Sequence, residues 1–288
     1  MKTEQNIRRV SAGKELLILT RQFVMILLHD RKNLALSLVF PVIAAVITVW
    51  IAGENMFVHF EGTKSACFVI VSAAIWGGLF NSIQVVVRER ENIRRDHAAG
   101  LRLRCYTASR AIVQLVLCLL QSVLLTCSFI GVGWRYANEP PEQGIILDEI
   151  LLEYFITIAL LTFAAAAMGM FISSLVKKPE TANVMAPYIL IVQLIFSGIL
   201  FTMKGTAETL SYAMLSRWGM EAMGSISDLN ELPLKIQMTI PTVPHEVDDM
   251  FLHTMEHLVQ VWIILAGFSA VFLVLGDLSL HRVTRDTR

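Results

Sequence analysis

The sequence predicts an all-α protein that crosses a membrane six times, and three observations carry that reading. Apolar residues make up 55% of the chain and charged residues only 17%, where a soluble domain carries about a quarter charged residues. The mean hydropathy is +0.60, and the apolar residues fall in blocks of about 18 or more, the length that crosses a hydrocarbon core of about 30 Å. The charges are segregated between those blocks. Seven of the 24 Lys and Arg lie between Arg88 and Arg110, in a short segment with apolar stretches on both sides. A loop of that kind stays cytoplasmic.

Taken in chain order, Lys14–Asn33 is apolar in its middle but broken by Arg21 and Gln22. It reads as an amphipathic helix in the inner interface, with continuation of the first span into the cytosol as the alternative. Asp30–Asn33 reads as the turn that ends it. The first span is Leu34–Ile51, with Pro41 inside it. The second is Ala66–Val87, where Gly77, Asn81, Gln84 and Arg88 share one helical face. Amides there are costly against lipid, so they face a wet cavity or a neighbouring helix. The charged hinge Val87–Tyr106 leads to the third span, Ala111–Val132. The fourth, Leu151–Val176, carries the small-residue run Ala164–Met170, which lets another helix approach closely. After Lys177 and Lys178 comes the fifth span, Val184–Met203, where Gln193 and Ser197 share a face beside Phe196. A large outer loop, 204–257, is helical in pattern in its first half and proline-rich in its second. The last span is Leu258–Leu275.

This division gives a cytoplasmic N-terminus (1–33), a six-helix membrane domain (34–276) and a cytoplasmic tail (277–288). It places 19 of the 24 basic residues on the inner side. That bias predicts both termini inside and a plasma (inner) membrane location. The polar N-terminus lacks a convincing small-residue cleavage site, so no removed signal peptide is expected. Cys67, Cys118 and Cys127 fall in spans and Cys105 in the hinge, which leaves no outer disulfide framework.

The chain contains no G-x-x-x-x-G-K-[ST] loop, so it does not itself bind ATP in that manner. No catalytic constellation is evident in the spans. His253, Glu256 and His257 match H-x-x-E-H, a spacing that can put two imidazoles and a carboxylate on one zinc ion. Glu246 or His245 would be the third ligand. The small surrounding loop and the adjacent last span favour a helix end over a metalloenzyme, and the expectation is no metal. The arginines of the hinge alternate with Glu89, Glu91 and Asp96 and lack stacking aromatics. They suit a topology signal, a docking surface and anionic lipid, and not nucleic acid.

The order of these motifs resembles the membrane half of G-subfamily ABC exporters, of the ABC-2 type. A span is followed by Glu89, then Arg94-Arg95-Asp96, Gly100, Tyr106 and another span. Gln193-Leu-Ile-Phe-Ser-Gly198 and Ser216-Arg-Trp-Gly-Met-Glu-Ala222 resemble two later segments of that family. The sequence departs from the pattern in having Asp96 for the usual Glu and a tyrosine displaced by about one position. The resemblance implies a permease of bacterial type, with a cytoplasmic coupling helix at the hinge and an outer re-entrant segment. It implies as partners a separate ABC ATPase carrying ATP and Mg, a second permease copy (identical or related) and membrane lipids. It implies that Asn81, Gln84, Gln193, Phe196 and Ser197 line the pathway of an amphipathic, lipid-like or peptide substrate. Glu89, Arg94, Arg95, Asp96 and Gly100 would dock the ATPase. A non-transporting sensor subunit is the alternative within the same frame.

Overall fold

A single aspartate separates the first two helices. α1 (Ala12–His29) and α2 (Arg31–Ala52) meet at Asp30, whose carboxylate accepts the Asn33 backbone N–H at 3.4 Å and its side-chain amide at 2.6 Å. This side chain supplies an acceptor to the free donors of a helix start, so the turn expected at Asp30–Asn33 is compressed into one residue. The computed structural model describes residues 11–53, 56–136, 140–141, 143–201, 203–232 and 248–285. The first ten residues, His245, Glu246 and the proline-rich half of the large loop lie outside the described residues.

The chain continues through α3 (Phe60–Ser82), the single turn α4 (Val85–Arg88), the hinge helix α5 (Arg90–Ala98) and the long α6 (Leu103–Arg135). Then come α7 (Ile150–Leu175), α8 (Pro179–Ile195), α9 (Thr206–Ser211), α10 (Leu215–Ile226), a 3-10 turn (Asp249–Phe251) and α11 (Met255–Arg285). Among the described residues no strand occurs. Five stretches of the described residues are long and apolar enough to cross a membrane: Arg31–Ala52, Phe60–Arg88, Leu103–Arg135, Ile150–Leu175 and Met255–Arg282.

The expected span Val184–Met203 takes another form. α8 is 17 residues long, starts earlier at Pro179 and stops at Ile195. Proline suits a first helical turn because its missing N–H would find no partner there. At the other end the Ser197 hydroxyl donates to the Leu194 carbonyl at 2.8 Å and accepts the Ile199 N–H at 3.3 Å, and Gly198 takes φ +82°. The side chain replaces helical hydrogen bonds, and the glycine supplies a conformation other residues resist.

The scaffold is the crossing of α3 and α7. A Cβ on Gly78 would sit 2.1 Å from the Thr162 carbonyl oxygen, and one on Gly169 would sit 2.1 Å from the Ser82 hydroxyl. Ala164 to Ala167 are fully buried at the same contact. Close backbone approach of this kind is what small residues allow. α10 lies against both helices: the Tyr154 and Ser227 hydroxyls are 2.9 Å apart, and the Cys67 thiol is 3.3 Å from Ser227. Trp262 of α11 donates to Thr157 at 2.8 Å. A second, smaller core joins α1, α4, α5, α6 and α11 through Phe23, Val86, Ile93, Leu103, Tyr106, Val113 and Leu280.

Gly78→Leu drives a side chain into the α7 backbone, and we expect a loss of about 3 kcal/mol or more. Gly131→Ala meets nothing within 4 Å and should be neutral or slightly stabilising. Thermal unfolding of the two purified variants in detergent checks this, and equal midpoints would refute the crossing.

Candidate functional site: a cavity tied to the hinge helix

A cavity of about 540 Å³ lies between α1, α2, α3 and α6, with Asn183 of α8 at one side. Such a volume falls within the range of pockets that hold one small molecule. Its apolar wall includes Phe23, Phe40, Trp76, Phe80 and Leu117, and its polar wall Ser37, Asn81, Gln84, Gln114 and Gln121. Gly77, Asn81, Gln84 and Arg88, one face by sequence spacing, all lie on this cavity.

The polar wall is held by a chain of hydrogen bonds across three helices. The Ser37 hydroxyl donates to the Asn81 side chain at 2.7 Å. Gln114 donates to the Asn81 carbonyl at 3.3 Å, and Gln121 to the Ser37 carbonyl at 2.9 Å. Gln84 donates to the Asn183 side chain. Ser37, Gln114 and Gln121 are absent from the sequence-predicted set. Their signal was available: two glutamines at i and i+7 put amides on one face of an apolar span.

The other predicted pathway residues are elsewhere. Gln193 is buried and accepts the Ser216 backbone N–H at 3.1 Å, while the Ser216 hydroxyl donates to the Gln193 carbonyl. Gln193 therefore anchors the start of α10. Ser197 is buried in its own helix-ending turn, and Phe196 is the residue at which α8 stops. None of the three lines the cavity.

The floor of the cavity is the start of the hinge. Glu89 forms an ion pair with Arg110 and accepts the Tyr106 hydroxyl at 2.7 Å. The Arg110 guanidinium lies over the Phe23 ring, 3.6 Å from its centroid, and Phe23 meets Tyr106 edge-on at 5.5 Å. Both members of the pair line the cavity. Cation–aromatic contact and a charge-assisted hydrogen bond offset part of the cost of taking these charges out of water. Next to this knot the helix breaks between Ser82 and Val85, and the Ser173 hydroxyl of α7 accepts the freed N–H groups of Val86 and Val87, each at 3.0 Å. Arg90 donates to the Val176 carbonyl at 2.8 Å.

The predicted docking residues therefore divide. Glu89 faces inward, in a network with α6 and α1. Arg95 and Asp96 are exposed, with side chains 77% and 51% accessible. Arg94 is half-buried on α5, and Gly100, at φ +108°, turns the chain toward α6. Tyr106 and Cys105 belong to α6 and are buried there, so the hinge ends before the residues assigned to it by sequence.

A second polar cluster surrounds α10. Glu221 is buried, with Arg217 at 3.8 Å and His257 at 3.4 Å. Arg217 also lies over the Tyr212 ring and donates to Ser211 at 3.0 Å. His253 Nδ1 lies 2.7 Å from the Ser225 carbonyl oxygen and 3.9 Å from Asp228. The two imidazoles of the H-x-x-E-H match thus have different partners. Among the described residues no group of three His, Cys, Asp or Glu is arranged to hold a metal ion.

Long apolar helices, a helix crossing built on small residues and amides around an internal cavity define a multi-pass membrane protein. Residues 14–226 match the ABC-2 type transporter family, and the chain belongs to that family: it is a membrane component of an ABC transporter. It is 24% identical over 224 residues to the ABC transporter ATP-binding/permease protein Rv1747 of Mycobacterium tuberculosis (strain ATCC 25618 / H37Rv), a match covering 74% of this chain and 25% of that protein. The chain thus spans about a quarter of the length of that relative.

Burial raises the Glu221 carboxyl from 4.5 to about 7, with Arg217 lowering it and Asp248 raising it. The folded protein therefore binds this proton more tightly than the unfolded chain. The stability this group contributes is full below its unfolded value and is lost as pH rises through about 7. Glu221→Gln removes that dependence. The unfolding midpoint of the variant minus that of the wild type should increase between about pH 5 and about pH 8. A pH-independent difference would contradict the assignment.

Proposed function

We propose that the chain is the permease of an ATP-driven exporter that works by alternating access. Two copies, identical or related, flank a pathway, and an ATP-binding component holds ATP and Mg beneath them. In this reading the chain crosses the membrane six times, α8 with the irregular segment after it serving as the fifth crossing. The termini and α5 face the cytoplasm, α1 lies in the inner interface and α10 is the outer re-entrant segment. The membrane domain is 34–276, with the hinge of 88–102 below it.

The observation that carries this reading is the ion pair at the cavity floor. Glu89 belongs to the hinge, and Arg110 to the helix that supplies Gln114 and Gln121 to the cavity wall. A push on α5 therefore reaches the cavity through a paired charge and the small hydrophobic core around Tyr106. ATP binding would close the ATP-binding component, move α5 and change the shape or access of the cavity. Arg94, Arg95, Asp96 and Gly100 form the docking surface, and Glu89 transmits the movement.

ATP hydrolysis is assigned to a component outside this sequence. The name of the mycobacterial relative joins ATP-binding and permease functions in one protein, which supports pairing this chain with such a component. The cavity has a large apolar wall and a row of amides, which suits an amphipathic cargo. The docking role is tested by Asp96→Arg. The carboxylate is exposed, so the fold should tolerate the change. Association with the ATP-binding component should weaken about tenfold or more, as a charge reversal at an interface does. Affinity measured on the reconstituted complex checks this, and wild-type affinity would remove α5 from the interface.

A further inference from the structure

Three ionisable side chains meet between α10 and the start of α11, and the fold leaves them short of hydrogen bonds. Glu221 lies 3.4 Å from His257 Nε2 and 3.8 Å from Arg217 Nε. The glutamate, histidine and arginine side chains are only 10%, 13% and 12% accessible. Oε2 of Glu221, Nε2 of His257 and Nε of Arg217 are buried and make no hydrogen bond. Buried polar groups are ordinarily satisfied, and each exception in a native structure calls for an explanation. Arg217 is held from elsewhere, by the Ser211 hydroxyl and the Tyr212 ring at the end of α9. The contact that a proton changes is the one between Glu221 and His257.

With one proton on the pair, an imidazolium meets a carboxylate, or a carboxylic acid meets a neutral imidazole. Either way a donor faces an acceptor, and the first arrangement is charge-assisted. Without that proton a carboxylate faces a neutral imidazole. Nε2 then turns a lone pair to it, which repels, or an N–H, which bonds without the added charge. The link between α10 and α11 is therefore strongest when the proton is present. Such a pair titrates as a unit rather than as two separate residues. Burial holds the Glu221 carboxyl up at about 7, so the change falls near neutral pH.

The surroundings keep this pair as the variable. α10 packs against α3, α7, α8, α11 and the 3-10 turn. Among the described residues, Asp248 beside the turn opposes the carboxylate charge, while Asp249 and Glu256 are exposed. α3 and α7 present the Cys67 thiol and the Tyr154 hydroxyl, both against Ser227. Glu153 of α7 accepts the Ile146 and Leu147 N–H groups, and α8 presents Gln193 to Ser216. The second imidazole, His253, lies on the Ser225 carbonyl with Asp228 at 3.9 Å, apart from Glu221.

We infer that Glu221 and His257 form a proton-operated latch that fastens α10 to α11. Binding of one proton closes it, and loss of that proton releases α10. α9 moves with α10, because Trp218 donates to the Tyr212 carbonyl at 2.8 Å and Arg217 to Ser211 at 3.0 Å. The inference goes beyond the export reading and rests on it only for placing the latch on the outer side.

The latch is read from the distance between spin labels at positions 210 on α9 and 255 on α11, both exposed. The full chain and its ATP-binding component are held in phosphatidylcholine nanodiscs, without nucleotide, between about pH 6 and about pH 8. The wild type should show two distances whose population ratio changes about tenfold, as one pKa unit between latched and released states gives. Glu221→Gln should lose this response, and His253→Gln should keep it. If Glu221→Gln fails to fold, His257→Gln replaces it and should lose the response. Infrared spectroscopy is the second readout. A protonated-carboxyl band should fade over the same pH range, be absent from Glu221→Gln and shift its midpoint in His257→Gln. A wild-type distance indifferent to pH, or no such band, would overturn the latch. So would a response retained in the Glu221 or His257 variant, or one lost in folded His253→Gln. Changing the pH on one side of proteoliposomes at a time tests the orientation separately. A response to the side of the ATP-binding component leaves the latch standing and contradicts the outer placement of α10.

Discussion

The structure turns on one partly buried ion pair, Glu89 with Arg110. Arg110 sits between the Phe23 ring and the Tyr106 side of the small core, with its side chain 11% accessible. A guanidinium in that setting needs its carboxylate: removing one partner of a buried pair costs about 3–5 kcal/mol, because the remaining charge is stranded. The pair therefore holds the start of the hinge against α6, and Phe23 brings α1 into the same contact. Ile93 in the small core and Arg90 on the Val176 carbonyl also hold α5, and the pair attaches its start to the wall of the cavity.

Two regimes of packing follow. α3 and α7 meet backbone to backbone through Gly78, Gly169 and the alanine run, and most of each is buried. Such a contact has few alternative arrangements. α2 and α11 are mostly exposed, and the cavity lies on the α2 side of the scaffold. A rigid crossing with a polar cavity beside it, and a charged lever beneath, is a construction in which one part can move relative to another. The polar wall joins the two regimes: Asn81 is on α3 of the crossing, Ser37 is on α2, and Gln114 and Gln121 are on the helix that carries Arg110.

Much of this was legible in the sequence, and the reason is periodicity. Apolar block length located the five long helices to within a few residues, apart from extensions such as the start of α6. The 3.6-residue repeat placed Gly77, Asn81, Gln84 and Arg88 on one wall. The charge run marked α5. What failed to show depends on contacts distant in sequence or on turns. Gln193 and Ser197 were expected on one face, but α8 stops between them at Ile195, the chain returns as α10 to use Gln193, and Ser197 serves its own turn. Glu89 read as one of the docking charges, because its partner Arg110 lies 21 residues on, at the far end of the same charged segment. His253 and His257 fit a metal spacing, yet the surrounding α10 gives each a different partner.

The central claim is that the hinge and the cavity move together through the Glu89–Arg110 pair. The most direct test is the distance between spin labels at positions 36 and 80, two exposed rim positions on α2 and α3. It is recorded in the complete complex with and without a non-hydrolysable ATP analogue. The account predicts that nucleotide shifts this distance distribution in the wild type and leaves it unchanged in Arg110→Gln. A wild-type distribution indifferent to nucleotide, or the same shift in both proteins, would contradict it.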